Sequence, residues 1–322
     1  MKNISTKALV EGAVFASLTA VLGIMVYYLP LLSLVGMFWA VPIIIMGFRN
    51  GFKTSFASAV VAGILVSIFT EPYSGIYLFL VFGISGIVMG YLMNKKTKPS
   101  LNILGSGLIL AFCSAAGIIL TFWILGQSPA QATEQLIKSM NETFDSVADI
   151  YSNMGIPKEQ IEDVIARFKE SIEAIKLVIP AFFIMNGMIF SFVNFKLSKK
   201  ILNRMKYTIE DIKLFSEWRL PDNFVLGLLL VMLLTLGAFY LKIPNIETGV
   251  INIVFLLRWV FTILGLSVAS FMLMKYRITG FVKYLLLIIF FFAFTNVLAF
   301  VGIFDAIFDI RKIGRKYNGG IL

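Results

Sequence analysis

Within the apolar run VINIVFLLRWVFTILGLSVASF, residues 250–271, stands a single cation, Arg258. An arginine in hydrocarbon costs a few kcal/mol on insertion scales, which makes it a functional candidate and predicts a polar partner nearby. At 1.5 Å per residue it lies about 12 Å inward from Val250, and Asn296, counted back from Phe304 in an antiparallel last segment, falls at about the same depth. Such a pair either clamps two helices or offers donors to an anion or other substrate. A second group is aromatic: Tyr27, Tyr28, Trp39, Tyr73, Tyr77 and Trp123 fall near segment ends, and Asn186 adds a donor and an acceptor. These residues fit either a small-molecule site or an interfacial aromatic belt.

Other chemistry is poorly supplied. The chain has no histidine and one cysteine, Cys113, so an intrachain disulfide is excluded and zinc or copper sites are not expected. No G-x-x-x-x-G-K-[ST] or G-x-S-x-G stretch occurs, and the apolar segments hold almost no carboxylates. We therefore expect neither an enzyme nor a bound cofactor or metal, and energy from ATP would have to come from partners. Glu11 lies near one helix end and Glu71 at a turn before Pro72, which gives ion coupling little support.

The elements that position these residues are membrane helices. Hydrophobic residues make up 59% and charged residues 14% of the 322 positions, and the mean hydropathy is +0.89. That composition indicates an all-α polytopic membrane protein in contact with the lipid bilayer. The net charge of +10 then reflects lysine-rich loops rather than nucleic-acid binding. Nine apolar segments are predicted to cross, at about residues 8–29, 31–48, 52–70, 73–93, 101–125, 177–195, 223–241, 249–274 and 284–304. The first is expected to remain as an uncleaved anchor. Lys and Arg collect before the first span, around Arg49 and Lys53, at 95–98, at 196–206 and at 275–283, so the N-terminus is predicted to be cytoplasmic. Nine crossings then place Arg311, Lys312, Arg315 and Lys316 outside, against the positive-inside tendency.

Between the fifth and sixth spans, residues 128–175 read as an external helical hairpin. Ser128 and Gln131 have capping-box spacing with Pro129 between them, Gly155 and Pro157 mark the turn, and apolar residues such as Phe144 and Phe168 form a stripe on each arm. Lys196–Lys206 is the cytoplasmic end of a helix or rests on anionic headgroups. The resulting domains are a six-span part (1–200), a cytoplasmic loop (201–222), a three-span part (223–304) and a charged tail (305–322). In the first helix, Ala8, Gly12, Ala16 and Ala20 repeat every four residues, which predicts a surface closely approached by another helix or another subunit.

Three stretches carry a family resemblance: KALVEGAVFASLTAVLG (7–23), FSEWRLPDNFVLGLLL (215–230) and GIFDAIFDIRK (302–312). On these the chain resembles the YybS-like family of uncharacterised bacterial membrane proteins. The six N-terminal spans with their alanine-type repeat resemble the S components of energy-coupling factor (ECF) transporters, from which the long hairpin and three added spans depart. The resemblance implies a transporter-like fold in a bacterial inner membrane, with substrate at the outer ends of the six-span part. The expected role is capture or passage of a small molecule of unknown identity together with a membrane partner or ATPase-coupled module. The alternative is a scaffold or regulator that binds proteins and moves no solute.

Overall fold

The computed structural model describes residues 5–154, 158–221 and 223–313. Gly155, Pro157, Arg315 and Lys316 lie outside them. Among the described residues every regular element is helical, and the chain divides into two compact units, Met1–Asp211 and Ile212–Leu322.

The first unit begins with α1 (Thr6–Tyr28), capped by Ser5, whose side chain accepts from the Ala8 amide at 3.3 Å. Its small stripe is turned inward: Ala8, Gly12, Ala16 and Ala20 are buried, and the Ser58 hydroxyl donates to the Gly12 carbonyl at 3.0 Å. Small residues let the α3 backbone approach closely enough for that bond. The opposite face, with Val10 and Val14, is exposed and apolar, as a lipid-facing surface must be.

The next predicted span is built in two pieces, a 3-10 helix Pro30–Phe38 and α2 (Ala40–Asn50). Every residue from Ala40 to Gly47 is buried, so this apolar run faces protein rather than lipid. It still returns to the start of α1: Arg49 and Asn50 donate to the two Glu11 carboxylate oxygens, each at 2.8 Å. Then follow α3 (Phe52–Phe69), α4 (Pro72–Leu78), a π turn Phe79–Gly83, α5 (Ile84–Asn94) and α6 (Pro99–Ile124). Polar contacts close the α6 interface with α8: Ser106 and Ser191 hydroxyls lie 2.8 Å apart, and Ser191 donates to the Ile103 carbonyl.

The hairpin arms are α7 (Pro129–Asn153) and the outer part of α8 (Lys158–Arg204). The capping box forms, with Gln131 N to Ser128 Oγ at 3.1 Å and Ser128 N to Gln131 Oε1 at 2.9 Å. Phe144 stacks on Phe168 with ring centroids 5.5 Å apart. The second arm and the sixth span are one continuous helix, because no residue in 158–204 except Pro180 breaks the backbone pattern. Lys196–Arg204 forms its last turns, and Lys199 and Lys196 pair with Asp211 at 2.6 and 3.0 Å.

The second unit contains a 3-10 turn Phe215–Glu217, α9 (Phe224–Tyr240), α10 (Ile246–Lys275), α11 (Gly280–Ala293) and α12 (Thr295–Phe308). Six helices among the described residues are long and apolar enough to cross, or up to seven if α11 and α12 count as one, and that pair is bent by 104°. α9 has a shorter apolar stretch, Leu226–Tyr240, and is not among the six. Three straight crossings between Trp218 and Arg311 would leave these residues on opposite faces. Instead the Arg311 guanidinium donates to the Ser216 and Trp218 carbonyls, each at 2.7 Å.

Candidate functional site

The cavity of unit 1 arises from how its helices end. Pro72 starts α4 immediately after Glu71, and Ser67 donates to the Pro72 carbonyl at 2.9 Å, which holds the start of α4 against α3. Gly75 and Gly63 permit this crossing, since a Cβ on Gly75 would run into the Gly63 carbonyl oxygen. On the α6 side, Gly117 leaves room for the Tyr77 ring. Between these ends and the last turns of α1 lies a cavity of about 400 Å³, lined by Gly23, Val26, Tyr27, Val66, Tyr73, Ser74, Tyr77, Leu78, Ile118, Thr121 and Phe122. That size and lining suit a small, mainly apolar molecule.

Three of the sequence-derived candidates, Tyr27, Tyr73 and Tyr77, meet here. Tyr28 stands beside them, edge-on to Tyr27 at 5.1 Å, with its hydroxyl donating to the Phe69 carbonyl at 2.7 Å. Trp39 is not at a boundary: it is fully buried in a core cluster with Ala20, Ala62 and Val66. Its indole Nε1 has no hydrogen-bond partner, and a Cβ on Gly23 would come within 3.0 Å of it, so this donor lies behind the cavity wall. Trp123 is 77% exposed and lines no part of the cavity. Asn186 lines a separate hollow along α8 with Ile179, Phe182, Phe183, Met185 and Ile189.

The lining residues that the sequence did not single out are chiefly Ser74, Thr121 and Phe122. Thr121 donates to the Gly117 carbonyl at 2.9 Å, which leaves its oxygen able to accept. Glu71 lies near Tyr27. The Glu71 Oε2 atom is sealed from solvent and has no hydrogen-bond partner. A carboxylate directly ahead of a proline at a helix start was the available signal.

In unit 2, Arg258 Nη2 donates to Asn296 Oδ1 at 2.5 Å, which joins α10 to the first turn of α12. Both side chains lie on the exposed surface. A more buried group, placed in a charged tail by the sequence, is Asp305 with Arg311. Arg311 donates to Asp305 Oδ2 from Nε (3.1 Å) and Nη2 (2.7 Å), and to the Ser267 hydroxyl, the Ser216 carbonyl and the Trp218 carbonyl at 2.7 Å each. The Ser267 hydroxyl in turn donates to the Phe215 carbonyl at 2.6 Å. All five guanidinium N–H groups are thereby taken, which leaves nothing for a ligand.

Fold and site together define a polytopic, all-helical membrane protein with a small-molecule-sized cavity in its first unit. The chain belongs to the family described as "Predicted membrane protein (DUF2232)", which matches residues 17–306. It is similar to "Uncharacterized protein YybS" of Bacillus subtilis (strain 168), at 25% identity over 231 residues, covering 71% of this chain and 73% of that protein. No solved structure matches. These comparisons carry the YybS-like resemblance, and none of them carries the likeness to ECF S components.

Proposed function

We propose that unit 1 captures a small molecule in the Tyr27–Tyr73–Tyr77 cavity, as a binding rather than catalytic protein, and that onward passage depends on partner proteins. The observation that supports this is a cavity of about 400 Å³ walled by aromatic and apolar side chains, with hydroxyls of Tyr27, Ser74 and Thr121 among them. Lys7, Arg49, Lys53, Lys95, Lys96 and Lys98 belong to the opposite helix ends, where α1 starts, α2 meets α3 and α5 meets α6. In a bacterial inner membrane the positive-inside tendency puts that basic end and the N-terminus in the cytoplasm, and the cavity then faces outward.

Native mass spectrometry of gently purified protein tests the reading. The expected result is a retained small molecule, lost in Ser74→Phe, whose ring fills the cavity, while the melting temperature stays within a few degrees. A protein that retains no small molecule but carries a stoichiometric protein partner in both forms would instead support the scaffold.

A further inference from the structure

The Arg258–Asn296 pair lines no part of the cavity in unit 1, and its surroundings assign it another task. We propose that it receives a transmembrane helix of a different protein, one that carries an unpaired aspartate or glutamate near mid-bilayer depth. That role is independent of the cavity, so loss of either leaves the other standing.

Arg258 lies in the middle of its helix. Along α10 it stands about 18 Å from Ile246 and about 14 Å from Ser267, the residue that meets Arg311 and the Phe215 carbonyl, both outside the apolar helices. Either distance is longer than an arginine side chain, so snorkelling does not carry the guanidinium to a headgroup. It is held sideways instead, where Nη2 donates to Asn296 Oδ1 at 2.5 Å in the first turn of α12.

That bond uses one of the five guanidinium N–H groups. Among the described residues no other group accepts from the Arg258 side chain, and no salt bridge reaches it. Both members of the pair are exposed, and so are Ile251 and Val254, which share the same stripe of α10 toward its start. Charged donors in hydrocarbon require acceptors, and a carboxylate is the acceptor that also cancels the charge. The face therefore fits a helix that is apolar except for one acid at the level of Arg258.

The chain itself does not supply that acid. Glu11 is bonded to Arg49 and Asn50, and Asp305 is held by Arg311. Glu247 stands about 16 Å away along α10, and Glu71 precedes the first residue of α4. The remaining acids fall in the hairpin, in the loop before α9 or past Phe308, and Ala174–Arg204 of α8 contains neither Asp nor Glu. A second copy is excluded on the same ground, which leaves a different protein.

Fluorescence energy transfer from the full-length protein to a labelled host peptide of Leu and Ala, whose central residue is Asp, Asn or Leu, measures the association in phosphatidylcholine vesicles. The Asp peptide should bind about tenfold more tightly than the Leu peptide, with Asn between them. Moving the Asp two turns toward either end should remove the advantage, which checks the depth without altering the protein. Arg258→Met should bring the Asp and Leu peptides to within about twofold of one another, and Arg258→Lys should keep part of the preference. Equal binding of all three peptides by the native protein, or an Asp preference that survives Arg258→Met, overturns the proposed partner. So does an Asp preference that vanishes when phosphatidylglycerol is added to the vesicles, because a lipid phosphate is then the group that Arg258 takes.

Discussion

Among the described residues the first unit leaves five buried polar atoms without partners, Trp39 Nε1 behind the cavity wall, Glu71 Oε2, Arg49 Nε, and Asn194 Oδ1 and Ser198 Oγ along α8, whereas the second leaves one, Ser270 Oγ in α10. In the second unit the buried guanidinium of Arg311 has every N–H placed, on one carboxylate, one hydroxyl and two carbonyls. An unsatisfied buried group costs about 1–3 kcal/mol, so the first arrangement weakens the fold in the places where it leaves something to be recognised. The second gives up recognition for closure. It ties the Phe215–Trp218 turn, α10 and the end of α12 into one knot. The two most distinctive sequence stretches, FSEWRLPDNFVLGLLL and GIFDAIFDIRK, supply most of that knot, so their chemistry is explained by packing without any ligand.

The sharpest way to break the contrast is to open the knot. Arg311→Met strands the Asp305 carboxylate, only 7% exposed, and takes one donor from each of three oxygens, those of Ser216, Ser267 and Trp218. The expected loss is about 3–5 kcal/mol, as for one partner removed from a buried ion pair. Thermal or denaturant unfolding in micelles measures it. Arg311→Lys should recover only part, because one ammonium cannot reproduce the planar fork. An unchanged melting temperature for the methionine variant would show that the second unit is not locked there.

Of intermediate size is the crossing of α10 and α12. A Cβ on Gly302 would run into the Phe261 carbonyl oxygen, and one on Gly265 into that of Leu298. Gly302→Leu should therefore cost about 1–3 kcal/mol through forced backbone shifts. The matched control is Val14→Leu on the exposed face of α1, which should be neutral in the same unfolding assay. The smallest effect is expected at Arg258. Its bond to Asn296 is exposed, and interhelical hydrogen bonds in membranes average about 0.6 kcal/mol. A double-mutant cycle of Arg258→Met with Asn296→Leu should return a coupling near that value. A coupling of zero means that the arginine merely snorkels along the surface.

What can be read from the sequence is local or periodic. The four-residue stripe of α1, the Ser128 capping box and the common depth of Arg258 and Asn296 all derive from helix spacing, and the structure contains each of them. The bend at Phe294 has no such signature, since neither Pro nor Gly stands there. It comes with non-local contacts: Asn296 held by Arg258, and α12 drawn onto the two glycine contacts. Trp39 lies beside other aromatics near a segment end, which resembles a belt residue, and only the assembled helices show it to be core. Arg311 stands a few residues past the last apolar run, a position typical of a solvated tail. Its true environment depends on residues 44 to 95 positions away.

One consequence of α8 is mechanical. At 1.5 Å per residue its 47 residues form a rod about 70 Å long. The part from Ala174 to Arg204 is long and apolar enough to cross a membrane, and about 24 Å continues beyond it to brace α7 through Phe144 and Phe168. Such a rod is a lever with its load on the inner arm. There Ser191 bonds the Ile103 carbonyl of α6, and Asn194 donates to the Met37 carbonyl at 2.9 Å. A sideways push on the hairpin becomes a tilt at those two bonds, except for whatever Pro180, which lacks an amide to brace its turn, absorbs as a hinge.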